Sequence, residues 1–212
     1  GDINNLPYLK AVSKIKKKII LSTGLSDIKD ISNAIKILSR GKDVILLHCN
    51  TAYPTPLKDA NLNVIKSLKK KFNLEVGFSD HTEGIIASIA AVSMGASVIE
   101  KHFTIDKNLS GPDHKASINP EELLDLVENI KKVDLTKGSS IKKPTKSEIK
   151  NKSVVRKSIV AIKKIKKGEK FELNNIFVKR PATGMSPMLF NKLIGKKASK
   201  NYIVDEMIKE NI

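Results

Sequence analysis

His81 and His102 each stand at the end of an apolar, β-branched run, in the strings GFSDHT and VIEKHFT. Imidazole nitrogens suit a borderline divalent ion, and two such ligands from neighbouring strands leave coordination positions open for substrate and water. A histidine taken singly is more often a hydrogen-bonded structural residue, but the shared location of this pair favours the ligand reading. His48, inside the run VILLHC, reads as buried and hydrogen-bonded. Cys49 beside it reads as a buried packing residue, and His114 carries no assignment. Ser22, Ser79 and Asn50 lie at the ends of similar runs and are suited to hold a phosphate or carboxylate through hydroxyl, amide and loop N–H groups. Taken alone, each of these three is better explained by an ordinary turn or capping role.

The elements that must position these residues follow from periodicity. KIIL (18–21), VILLHC (44–49), VGFS (76–79) and SVIEKHF (97–103) read as strands. Segments 26–39, 59–72 and 83–94 between them have helical periodicity and charged outer faces, and Asn119-Pro120-Glu121-Glu122 opens a further helix reaching about Lys132. Strands alternating with helices of this length indicate βαβ units on a parallel sheet, where ligands bind beyond the C-terminal strand ends. A closed barrel needs eight strands in roughly 250 residues. The four units of 1–132 are therefore expected to be half of one, leaving two strand edges for a complementary half. Residues 133–152 are polar and lysine-rich and read as a linker. Residues 153–212 read as a small second domain of short strands, with runs SIVAIKKI, FELNNIFVKRP and IGKKASKNYIV.

Composition narrows the class. The 212 residues are 40% hydrophobic and 29% charged, as in a soluble globular protein. No apolar run approaches the roughly 20 residues of a membrane span. With no visible signal-peptide pattern and a single cysteine, a cytoplasmic location is expected. The net charge of +17 comes almost wholly from scattered lysines, the arginines being Arg40, Arg156 and Arg180. With few aromatics to stack bases, a nucleic-acid partner is not expected.

Taken in order, GDINNLP, IILSTG, LLHCNTAYPTPLKDANL, GFSDHT, VIEKHFT and GPDHKAS resemble the sialic acid synthases, a family that includes N-acetylneuraminate and legionaminate synthases. The ending KGEKFELNNIFVKRP is similar to their SAF, or antifreeze-like, domain. The resemblance implies the C-terminal half of a (β/α)8 TIM barrel followed by a small β-rich SAF domain of β-clip type. It implies condensation of phosphoenolpyruvate with N-acetylmannosamine and water to give N-acetylneuraminic acid and phosphate. A divalent metal, Mn2+ or Mg2+, would sit on His81 and His102. Phosphoenolpyruvate contacts fall on Ser22, Ser79 and the Asn50–Thr51 position. Sugar contacts fall on Tyr53, Asp113 and Asp2, the last standing where the family often has Glu; Asp113 would orient a metal-bound water or a sugar hydroxyl. Arg180 in VKRP matches an arginine that the SAF domain extends into the other subunit's site, which implies a domain-swapped homodimer. Two departures stand out. The family's N-terminal half-barrel, with its glutamate motif and phosphate-binding lysine strand, is missing, and Ala182-Thr183-Gly184 replaces the frequent Gly-Asn-Gly. Alternatives are a legionaminic acid synthase acting on a diacetamido sugar, or a non-catalytic remnant or binding module.

Overall fold

Residues 1–38 and 44–210 are described by a computed structural model. Helix α1 (Leu6–Val12) starts at Asn5, whose side chain accepts the Tyr8 N–H. Strands β1 (Ile19–Ser22), β2 (Val44–Cys49), β3 (Glu75–Asp80) and β4 (Ile99–Lys101) then alternate with helices α2 (Ile28–Leu38), α3 (Asn63–Phe72) and α4 (Ile86–Ser93), and α5 (Pro120–Lys137) follows. The strands form one parallel sheet in the order β1-β2-β3-β4. This is a half-barrel sheet, as the alternating pattern predicts.

Burial explains why these segments take these forms. Ile31, Ala34 and Leu38 of α2 recur at helical spacing and are buried, as are Ile65 and Leu68 of α3. They cover Val44, Leu46, Val76 and Phe78 of β2 and β3 in one core between helices and sheet. The two central strands are buried on both faces over nearly all their length, and β2 reads as a near-continuous apolar run, the usual pattern of a parallel sheet. The outer strands are less covered: Ile20 of β1 and Phe103, just beyond β4, are each 52% exposed. Gly77 lets β3 approach the chain entering β4, because a Cβ there would collide with the Val98 carbonyl and the Leu47 side chain.

Asn119 starts α5 with a full capping box: it accepts the Glu122 N–H, and Glu122 accepts the Asn119 N–H. The helix runs to Lys137 and not to about Lys132, so its last turn occupies the start of the segment read as linker. No apolar stripe marks this turn. It is exposed from Asp134 on, is preceded by the Lys132–Glu128 pair and carries the Lys137–Asp134 pair, and Gly138 at φ 51 follows it. Two short helices, α6 (Lys146–Ile149) and α7 (Lys152–Val155), also fall in or beside that segment, the first with its own Thr145–Glu148 capping box.

The chain divides into two units, Gly1–Ser139 and Ser140–Ile212. In the second, β5 (Ser158–Ala161) pairs antiparallel with β6 (Ile176–Lys179), and α8 (Phe190–Leu193) follows. Its core gathers Ile159, Phe171, Ile176, Leu193 and Tyr202. The run IGKKASKNYIV, expected to be strand-like, contributes only the single bridges Lys197↔Lys170 and Tyr202↔Ile165. Among the described residues no helix is long and apolar enough to cross a membrane.

Candidate active site

The register of β3 and β4 pairs Ser79 with Glu100 and Asp80 with Lys101. Side chains alternate along a strand, so Ser79 and Glu100 share one face with His81 and His102, which directly follow the paired segments. On that face lies a cavity of about 460 Å3, walled by Ser22, Thr51, Tyr53, Ser79, His81 and His102 together with Glu100 and Cys49. Six residues selected from the sequence therefore meet at the C-terminal rim of the sheet.

Three rings form the centre of the site. Tyr53 lies 4.1 Å from His81 between ring centroids and meets His102 edge-on at 5.5 Å, and the two imidazoles are 5.2 Å apart. His81 Nδ1 is 2.6 Å from the Asn50 carbonyl. A carbonyl only accepts, so Nδ1 carries the proton and Nε2 presents its lone pair. Burial, with the nearby Cys49, Asp113 and Glu100 charges adding to it, raises the Tyr53 phenol above its ordinary value and keeps it a proton donor. Ser79 Oγ donates to Glu100 Oε1 at 2.7 Å.

Gly24 brings the STG turn against Thr51, since a Cβ there would strike the Thr51 hydroxyl. Ser22 sits at the exposed end of β1 on the same side.

Other selected residues do not line this cavity, although the Asp113 charge acts on Tyr53. The Asn50 side chain is committed to its own loop, accepting the Ala52 N–H at 2.8 Å and donating to the Asp59 carbonyl at 3.3 Å. It lines an adjoining cavity and serves the histidine site through its backbone. Asp2 accepts from Asn5 Nδ2 at 2.9 Å, and its neighbours Gly1 and Ile3, not Asp2, line the cavity. Asp113 is half-buried in the loop after β4, where its carbonyl accepts the Ser117 N–H and hydroxyl. Arg180 belongs to the second unit, is exposed, and donates from Nε to the Val155 carbonyl at 2.8 Å. His48 is buried with Nε2 2.8 Å from the Ala60 carbonyl, as its place inside an apolar run predicts. His114 Nδ1 lies 2.8 Å from the Thr104 hydroxyl.

Cys49 requires a correction: it is only partly buried, lines the cavity, and holds Sγ 3.9 Å from His81 Nδ1. As the last residue of β2 it reaches the rim, where the apolar layer has ended. Glu100 was not selected from sequence. Its place two residues before His102, hence on the same strand face, is the signal that would have found it.

No group of three or more His, Cys, Asp or Glu side chains is arranged to hold a metal among the described residues. His81 and His102 nevertheless fit as a pair. One has its tautomer fixed for coordination through Nε2, and the other has no hydrogen-bond partner on its ring among the described residues. They supply part of a coordination shell, with the remainder left to substrate, water or further protein groups.

A family model described as the NeuB family matches residues 1–142, and one described as the SAF domain matches residues 156–211. The chain is 52% identical over 214 residues to N,N'-diacetyllegionaminic acid synthase of Campylobacter jejuni subsp. jejuni, covering 99% of this chain and 64% of that protein. It is 34% identical over 215 residues to N-acetylneuraminate-9-phosphate synthase of Homo sapiens, covering 100% of this chain and 60% of that protein. Among solved structures it resembles the N-acetylneuraminic acid (sialic acid) synthetase from Leptospira borgpetersenii serovar Hardjo-bovis in complex with citrate. The TM-score is 0.67 at 37% identity, over 71% of this chain and 53% of that one. The chain thus spans about three fifths of the length of these two curated relatives. Its half-barrel sheet, its rim motifs and its small second unit agree with these matches, and the chain belongs to the NeuB family, with a SAF domain following the barrel segment.

Proposed function

We infer that the protein carrying this chain condenses phosphoenolpyruvate with an acetamido sugar aldehyde and water, releasing a nonulosonic acid and phosphate. The supporting observation is the β3–β4 register, which sets Ser79, His81, Glu100 and His102 along one cavity wall with Tyr53 against His81. In the reaction, C3 of the enol forms a bond to the aldehyde carbon, and the aldehyde oxygen takes up a proton to become a hydroxyl. Water adds at C2 and gives up a proton, and phosphate leaves by C–O cleavage.

His81 and His102 would hold a divalent ion, which supplies Lewis-acid stabilisation of the charge developing on the aldehyde oxygen. Their nitrogens favour Mn2+ over Mg2+, which prefers oxygen ligands. Ser22 and Thr51 present hydroxyls for the phosphate or carboxylate of phosphoenolpyruvate, and Ser79 would join them on turning its hydroxyl proton from Glu100 to the anion. Glu100 is the carboxylate on the same wall able to accept the proton released by the adding water. Tyr53, kept protonated, donates to a sugar oxygen.

No lysine or arginine lines this cavity among the described residues, whereas phosphoenolpyruvate is an anion. The resemblance assigns the missing cation to an N-terminal half-barrel. The outer strands β1, which carries the exposed Ile20, and β4 each have a single neighbour in the sheet and are where such a half would add its strands. In the same reading Arg180 reaches the sugar site of a second subunit in a homodimer.

For the sugar, the 52% identity to a diacetyllegionaminic acid synthase favours a diacetamido substrate over N-acetylmannosamine. The test is phosphate release by the full-length protein with phosphoenolpyruvate and Mn2+, using each sugar in turn, with the product weighed by mass spectrometry. Turnover with either sugar, abolished in His81→Ala and His102→Ala, is expected, and the diacetamido sugar should be the faster. Absence of release with both would overturn the enzymatic reading and leave a binding module.

A further inference from the structure

Behind the catalytic wall, on the helix-facing side of the sheet, Asp80 and Lys101 form an ion pair at 3.1 Å with side chains 0% and 3% exposed. These two residues directly precede His81 and His102 and are register partners. Their bonds converge on Thr82, the residue after His81. Asp80 Oδ1 accepts the Thr82 N–H at 2.8 Å, and Lys101 Nζ donates to the Thr82 carbonyl at 2.7 Å. Ser88 of α4 donates to Asp80 Oδ2 at 2.6 Å and ties the pair to the helix layer.

We propose that the Asp80–Lys101 pair is a positioning device that fixes the spacing and orientation of His81 and His102 and thereby sets divalent-metal affinity. This rests on the ligand reading of the two histidines. The pair holds both backbone groups of Thr82, directly after His81, while the His81 carbonyl accepts the Thr55 N–H at 2.8 Å. His102 follows Lys101 with no residue between, and its carbonyl accepts the Ile118 N–H at 2.9 Å. The two strand ends are thus joined by one charged contact beneath the two rings. A buried ion pair is a poor source of net stability, because the desolvation of both charges offsets their attraction. Its distinctive product here is geometry, since each charge has a single place where its bonds are satisfied.

The test measures Mn2+ affinity of the full-length protein by loss of the free-ion electron paramagnetic resonance signal, beside the melting temperature. Asp80→Asn and Lys101→Met are each expected to weaken Mn2+ binding by about 10-fold or more, the range seen when groups supporting metal ligands are removed. Leu68→Ala, a core change away from the rim, should lower the melting temperature and leave Mn2+ affinity unchanged. Because a single change strands one buried charge, the double variant Asp80→Asn with Lys101→Met is the safeguard. It should regain much of the melting temperature and stay weak for Mn2+. Recovery of both quantities, or equal loss of affinity in Leu68→Ala, would reduce the pair to a stability role and overturn the proposal. His81→Ala and His102→Ala separate the two readings. If they bind Mn2+ as the unmodified protein does, the ligand reading fails and this inference with it; if they lose it while Asp80→Asn does not, only the positioning role fails.

Discussion

His48 donates from Nε2 to the Ala60 carbonyl inside the sheet-helix layer, and burial lowers its pKa from 6.5 despite that bond, which acts in the opposite direction. The unfolded chain therefore takes up a proton at His48 before the folded one does. Its contribution to stability is fully present above pH 6.5 and is lost as the pH falls from there through the folded-state value. His48→Gln, which keeps a donor, should flatten the decline in melting temperature below that pH, and the slope measured in both proteins checks it. His81, a rim residue, contrasts with His48 in that its ring hydrogen bond leaves the second nitrogen facing a cavity. That difference was legible because one histidine lies within an apolar run and the other at its end. Glu100 was not, since a carboxylate between apolar neighbours shows its role only once its strand face is matched to Ser79.

Strands and helices were the most readable level. β2 coincides with its apolar run because a strand buried on both faces is apolar at nearly every position, the buried His48 apart. The exposed turn at the end of α5 was missed for the opposite reason: surface ion pairs and helix propensity hold it, and neither leaves an apolar stripe. The start of α5 is well marked, and its strength can be measured. Burial raises the Glu122 carboxyl, but the Lys107 ammonium at 2.6 Å and the Asn119 N–H outweigh it and hold the pKa below 4.5. The cap therefore stabilises fully above pH 4.5 and weakens as pH falls through the lower folded value. Asn119→Ala removes the acceptor for the Glu122 N–H and should cost about 1 kcal/mol by urea denaturation at neutral pH.

At the scale of the whole molecule, the half-barrel and the SAF unit have separate cores. Arg180 is the surface residue on which the proposed exchange between subunits depends. A guanidinium offers paired planar donors that an ammonium does not, so Arg180→Lys should raise the sugar KM several-fold and leave the phosphoenolpyruvate KM nearly unchanged. Mixing full-length Arg180→Ala with His102→Ala subunits should restore activity, because one site in each heterodimer then has both residues. No recovery after confirmed subunit exchange would mean that Arg180 serves its own barrel or none. Residues 134–157 are exposed without exception, and no buried side chain of either core lies among them. For the gene, this stretch is a place where a fusion, a split or the insertion of a reporter sequence removes no core contact. At the boundary between Ser139 and Ser140 the two halves of the coding sequence can therefore drift, recombine or be exchanged between relatives with each folding unit left whole.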